Sequence, residues 1–134
     1  MLADAATVAG GKLYVQRGGW TQIQTPQIPA AHPALALVLI FTLESHEANE
    51  DIKFVIDLVD EDGQPVGLRG EALMRVAPGA FAKKGSELYQ PTAQMLYGLR
   101  FEKYGTYRFR IIRNDAILAS VPLTITPPPM TAAA

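Results

Sequence analysis

The chain has 134 residues, with twelve Lys and Arg against thirteen Asp and Glu, and a net charge of −1 removes the basic field that nucleic-acid binding draws on. It contains no Cys, which excludes disulfides, thiolate metal sites and Cys nucleophiles. With 49% hydrophobic and 19% charged residues the composition is that of a folded domain, and ten Pro with eleven Gly favour many turns over long helices.

From the N-terminus, Met1-Leu2-Ala3-Asp4-Ala5 carries an acid where a secretory signal needs a base. The most apolar run, 34–41, is about half the length that crosses a bilayer. A soluble, cytoplasmic protein without membrane association is expected. Residues 3–8 and 12–17 predict two strands separated by Gly10-Gly11. Gly18-Gly19 breaks the second before Trp20 and a short piece at 21–24, and 25–33 reads as irregular.

Residues 34–43 are apolar on both faces, with Leu35, Leu37, Leu39, Phe41 and Leu43 interleaved by Ala36, Val38 and Ile40. Ala and Leu also favour helix. Pro33, however, biases His32 toward extended geometry, and Val38, Ile40, Phe41 and Thr42 prefer strands, so a central strand is predicted. Ile52, Phe54, Ile56 and Leu58 form the next dry row, with Lys53 and Asp57 facing out. Asp62-Gly63 with Pro65 then closes a hairpin. Over 71–76, Ala72, Met74 and Val76 oppose Glu71, Leu73 and Arg75. The stretch 77–91 is long for a connection and predicts a short helix or a functional loop.

Met95, Tyr97, Leu99 and Phe101 make another dry row around Gln94, Gly98 and Arg100. Next, Tyr107, Phe109 and Ile111 face the core while Arg108 and Arg110 face water. Asn114-Asp115 turns the chain into a last strand, where Ala119, Val121, Leu123 and Ile125 alternate with Ser120, Pro122 and Thr124. Pro122 cannot donate to a ladder, which places that strand at a sheet edge or a bulge. Seven or eight short strands indicate an all-β fold, an immunoglobulin-like antiparallel β-sandwich over residues 1–126, with a flexible Pro- and Ala-rich tail at 127–134. A closed barrel is the alternative architecture. Gly105-Thr106-Tyr107, entering a late strand, predicts a tyrosine corner in which the phenol bonds back to the chain.

Five segments carry a family likeness: residues 2–8, Gly11-Lys12-Leu13-Tyr14-Val15, Gly18-Gly19-Trp20-Thr21, Val59-Asp60-Glu61-Asp62-Gly63-Gln64-Pro65, and Gly105-Thr106-Tyr107-Arg108-Phe109. Together they resemble a family of small uncharacterised bacterial proteins common in actinobacteria. The resemblance spans nearly the full chain and implies a single immunoglobulin-type sandwich. It implies no activity and no functional residues.

Chemistry-bearing residues are few. His32 precedes Pro33, and His46 sits in Glu44-Ser45-His46-Glu47, both in loop positions. No Gly-x-Ser-x-Gly elbow supplies a nucleophile, and Ser45, Ser86 and Ser120 carry no local activation signal. A small hydrolase using either histidine is therefore the weakest reading, and a non-enzymatic protein without cofactors is expected. Asp57, Asp60 and Asp62 crowd the Gly63 turn with Glu61, while Glu44, Glu47, Glu50 and Asp51 form a second acidic loop. Calcium wants six or more oxygens, and the ligand count here is short, so a metal site gains ground if the fold joins the two. Otherwise the Asp residues are a solvated hairpin tip.

Trp20 beside Arg17 reads as a partner anchor or as a lid on one end of the core. Arg108 and Arg110, with Arg113 and Arg100 as extensions, pair with acids on a neighbouring strand or receive an anionic ligand or protein. Lys83-Lys84 adds basic character in the long loop. The expected function is a protein-binding or self-associating module, with a calcium- or carbohydrate-binding sandwich as the alternative.

Overall fold

A computed structural model describes residues 1–81, 83 and 85–129. Among them the chain forms nine strands: β1 (Leu2–Ala9), β2 (Lys12–Trp20), β3 (Gln22–Gln24), β4 (Ala30–Glu44), β5 (Ile52–Val59), β6 (Pro65–Met74), β7 (Glu87–Phe101), β8 (Gly105–Arg113) and β9 (Ala116–Thr126). Two sheets result, ordered β2-β1-β4-β7 and β3-β9-β8-β5-β6. They pack as a sandwich. The count exceeds the expected seven or eight because the short piece at Gln22–Gln24 pairs as a strand of its own, in parallel with the end of β9.

The dry rows meet between the sheets. Leu2, Leu35 and Leu37 from one sheet press on Leu58, Phe109, Leu123 and Ile125 from the other, with Phe101 and Tyr107 in the same cluster. Each such burial stabilises by roughly 1.5–3 kcal/mol. The Tyr107 hydroxyl donates to the Lys103 carbonyl at 2.8 Å, the corner bond that the Gly-x-Tyr pattern predicts. A second cluster fills one end, where Leu43, Ile52, Phe54 and Ile111 meet Val76 and Phe81.

Apolar residues on both faces of β4 find partners, apart from Ile40, which is 61% exposed. Leu35 and Leu37 point into the main core. Ala36 and Val38 lie on the opposite side, buried with Ala3 and packed against Ala6, Leu13, Val15 and Met95. β1 pairs with β4 only at Leu2 and Ala3. Beyond that point the β1–β2 hairpin curls over the outer face and reaches β7, two strands away in the sheet order. The first sheet thus carries a third layer made from its own chain.

Four expectations are corrected or sharpened. Gly18-Gly19 does not end β2: the strand continues to Trp20, and the pairing with β1 absorbs the irregularity as a shift between Leu2 and Ala3. The row Met95, Tyr97, Leu99, Phe101 does not share one face. Met95 packs in the outer cluster, Tyr97 is 72% exposed, and Leu99 and Phe101 belong to the inner core. Gly98, at φ 64°, lies between them and reverses the alternation. The loop 77–91 contains one 3-10 turn, Pro78–Ala80, and yields to β7 from Glu87. Pro122 sits in β9 opposite Arg108. Thr124, two residues on, sends its N–H away from β8 to the Thr21 carbonyl, so the Pro122 nitrogen faces the sheet edge and no ladder bond is lost. Within the tail, residues 127–129 are exposed without regular structure, and the rest lies outside the described residues.

A Cβ at position 98 would meet no atom within 4 Å, so a substitution there costs only backbone strain. Gly98→Ala is expected to lose about 1 kcal/mol in urea unfolding and Gly98→Asn less, because Asn tolerates the left-handed region. Equal losses for both would place the cost elsewhere.

Candidate functional site

The outer face of the second sheet gathers most of the charged residues that the alternation turns outward. Cross-strand partners share a face, so the register fixes the set. On β5, Lys53, Val55 and Asp57 lie opposite Leu73, Glu71 and Arg69 of β6. On the other flank Val55 and Asp57 lie opposite Ile112 and Arg110 of β8, with Arg108 one step further against Val59. Ile117 of β9 extends the face opposite Ile112. Leu73 and Ile117 are 70% and 58% exposed. A shallow depression of about 410 Å³ runs across this face, lined by Lys53, Val55, Arg69, Glu71 and Ile112, with Asn114 and Asp115 at its end.

At the centre sits Asp57. It points outward as expected, yet it is only 4% exposed, which the alternation did not foretell. Arg110 covers it with a two-bond clamp: Nε donates to Oδ1 at 2.8 Å and Nη2 to Oδ2 at 2.6 Å. The Asp57 carboxylate holds the Arg110 guanidinium above its ordinary pKa, against a smaller effect of burial. Each carboxylate oxygen accepts one of these bonds. Arg69, the other cross-strand neighbour of Asp57, makes no ion pair with it, and Arg108 faces Val59 and Pro122. Among the described residues neither Arg69 nor Arg108 joins an ion pair, whereas Lys53 is held by Glu71 at 3.2 Å. Arg69 was absent from the sequence-derived set because its neighbour Asp57 is distant in sequence and adjacent only through sheet register.

The remaining candidates do not converge on this face. Trp20 is half-buried against the main core with its ring edge toward His32 at 6.2 Å. Its Nε1 is buried without a hydrogen-bond partner among the described residues, so the polar edge of the indole turns inward at one end of the core. Arg17 is exposed at φ 49° on β2, on the hairpin of the first sheet. Lys83 is exposed beside Ser45, His46, Pro78 and Phe81. Lys84 lies outside the described residues. Arg113 does not extend the outward row. It shares the inward parity of Phe109 and Ile111, lies over the Phe54 ring and pairs with Glu47 at 2.6 Å. Arg100 pairs with Glu102 at 2.7 Å.

The acidic loops do not meet. They flank β5 at opposite ends, and an eight-residue strand separates them by about 26 Å. Asp57 is committed to Arg110. Asp60 accepts the amides of Asp62 and Gln64 and pairs with Lys103 at 3.2 Å. The Gln64 amide, opposed by burial and aided by Lys103 and the Asp62 amide, holds that carboxyl below its ordinary value. Asp62 is exposed. The weak calcium set Asp57, Asp60, Asp62 therefore does not form, and no group of three metal-ligating side chains occurs among the described residues. His46 is exposed and contacts Glu44 at 3.1 Å. Ser45 Oγ accepts the Gly85 amide, and Ser86 Oγ donates to the Lys83 carbonyl. Neither histidine hydrogen-bonds a hydroxyl among the described residues.

Fold and site together define a β-sandwich with one outer face partly roofed by a hairpin and the other left open and charged. The chain belongs to a family of unknown function, DUF6941, whose profile matches residues 1–126. Searches of curated proteins and of solved structures found no match. No helix among the described residues is long and apolar enough to cross a membrane.

Two predictions follow from these ion pairs. Arg110→Ala strands a buried carboxylate and is expected to lose about 3 kcal/mol in chemical unfolding, most of it regained by adding Asp57→Val. Failure of the second change to restore stability would contradict the burial argument. Glu47 behaves differently with pH. Burial works against its charge, but the Glu44 amide and Arg113, with His46, prevail and hold its carboxyl below the ordinary 4.5. A lowered folded pKa gives stability that is complete above the ordinary value and lost as pH falls through the folded one. The stability gap between wild type and Glu47→Gln is thus expected to be about 1–3 kcal/mol at neutral pH and to shrink below about pH 4. A gap unchanged on acidification would remove the assignment.

Proposed function

We propose that this chain is a non-enzymatic interaction module, cytoplasmic and bacterial, that binds another protein through the outer face of β5, β6, β8 and β9. One observation carries the reading: the hairpin roofs the part of the first sheet's outer face around Ala36, Val38 and Met95, whereas the second sheet's outer face has no roof among the described residues and sets exposed Ile117 and Leu73 with half-buried Val55 and Ile112 among arginines. Exposed apolar side chains ringed by Arg are the composition of interface hot spots. A flat sheet between Arg69 and Arg110 with its central charge already neutralised loses little on desolvation.

The immunoglobulin-like assignment is part of the same proposal. It is supported by the tyrosine corner and by the parallel docking of β3 on β9. Self-association is a second form of the reading, favoured by β4, whose Leu39–Glu44 stretch has a paired strand only on its β7 side. That edge borders an apolar groove lined by Phe41, Leu43, Phe54, Ile111 and Leu118.

Site-specific photocrosslinking in native cells tests the proposal. A photoreactive residue at Ile112 is expected to give a discrete crosslinked species, and one at Thr7, exposed on the roofing hairpin, is not. Light scattering of the purified protein separates a second copy from a different protein. Indistinguishable crosslinking at both positions, together with a strict monomer, would remove the reading.

A further inference from the structure

Resting on the interaction reading, the charge arrangement on the open face narrows the partner. Among the described residues Asp57 is the carboxylate opposite both Arg69 and Arg110, and Arg110 clamps it while Arg69 makes no ion pair with it. Arg69 and Arg108 are exposed cations at positions fixed by sheet register, and neither joins an ion pair among the described residues, the Glu71 carboxylate beside Arg69 being bound to Lys53. Register also fixes their spacing. They stand on β6 and β8, two strand intervals apart, and are offset by two residues, which puts their Cα atoms about 12 Å apart. Carboxylates at positions i and i+4 of an extended chain stand about 13 Å apart on one side, with position i+2 between them on the same side.

We infer that the open face receives an acidic protein segment, its carboxylates meeting Arg69 and Arg108 and the side chain between them lying over the neutralised Asp57–Arg110 pair. The polarity of the surround favours a protein over a nucleic acid. Asp60, Glu61 and Asp62 crowd the β5–β6 turn near Arg108, Asp115 closes the other end of the depression, and Glu71 stands in the middle. A continuous polyanion would meet carboxylates at both ends, whereas a segment with discrete acids meets arginine at two points. No aromatic residue lines the depression to stack a base.

The test uses the whole protein and a fluorescein-labelled peptide of repeated Glu-Thr-Leu-Thr units, read by anisotropy. Saturable binding is expected, falling as salt rises. The double variant Arg69→Gln/Arg108→Gln should weaken it about tenfold, as should a Gln-Thr-Leu-Thr peptide. Both arginines are exposed and unpaired, so the double variant should melt with the wild type, and its thermal scan separates lost binding from lost fold. Equal binding by wild type and double variant, equal binding of the Gln peptide, or no saturable binding of either peptide overturns the inference. Preferential binding of a thymidine oligonucleotide overturns it in favour of nucleic acid. The Ile112 crosslink reports on the broader reading independently, so a discrete crosslink with no acidic preference sinks the partner chemistry and leaves the module standing.

Discussion

Every β-strand presents two rows of side chains, and a two-sheet sandwich buries only one row from each sheet. The other faces must be roofed, neutralised or used. In this chain the first sheet is roofed in part: small residues at Ala3 and Ala36 let the β1–β2 hairpin lie close across β4, and Val38 and Met95 complete a thin second core, while Ile40 and Tyr97 stay exposed. The second sheet has no such roof among the described residues. Its exposed row carries charge, and the arrangement of that charge governs what the face can do.

Asp57 and Arg110 decide the electrostatics. A carboxylate in midsheet with only 4% exposure is costly unless its oxygens are satisfied, and the two-bond clamp satisfies both. Arg110 clamps the carboxylate, Arg69 makes no ion pair among the described residues, and Arg108 has Val59 and Pro122 for neighbours. An ion pair neutralises the centre, and charge stays at the periphery. The second ion pair, Glu47 with Arg113, works at the end of the sandwich, where it ties the 3-10 turn Ser45–Glu47 to β8.

The open face also bears on the acidic loops. Their separation by the length of β5 follows from both being connected to that strand, one at each end. Asp60 serves the turn, accepting two amides and Lys103, which is the ordinary work of an Asp beside a hairpin. Trp20 likewise serves the core.

The alternation of apolar and polar residues determined the strands, the inward rows of β5, β8 and β9, and the tyrosine corner, because period-two patterning and turn chemistry are local properties of the chain. It also determined that Asp57 and the arginines at 108 and 110 face outward. What only the tertiary structure decided is which residues become neighbours across strands. Register placed Arg69 beside Asp57, and the curl of a hairpin explained why β4 is apolar on both sides. The positive φ of Gly98 reversed a row that simple parity would have kept on one face. Parity describes a strand by itself, whereas burial and charge compensation depend on partners brought from tens of residues away, and those distances are closed only when the sheets form.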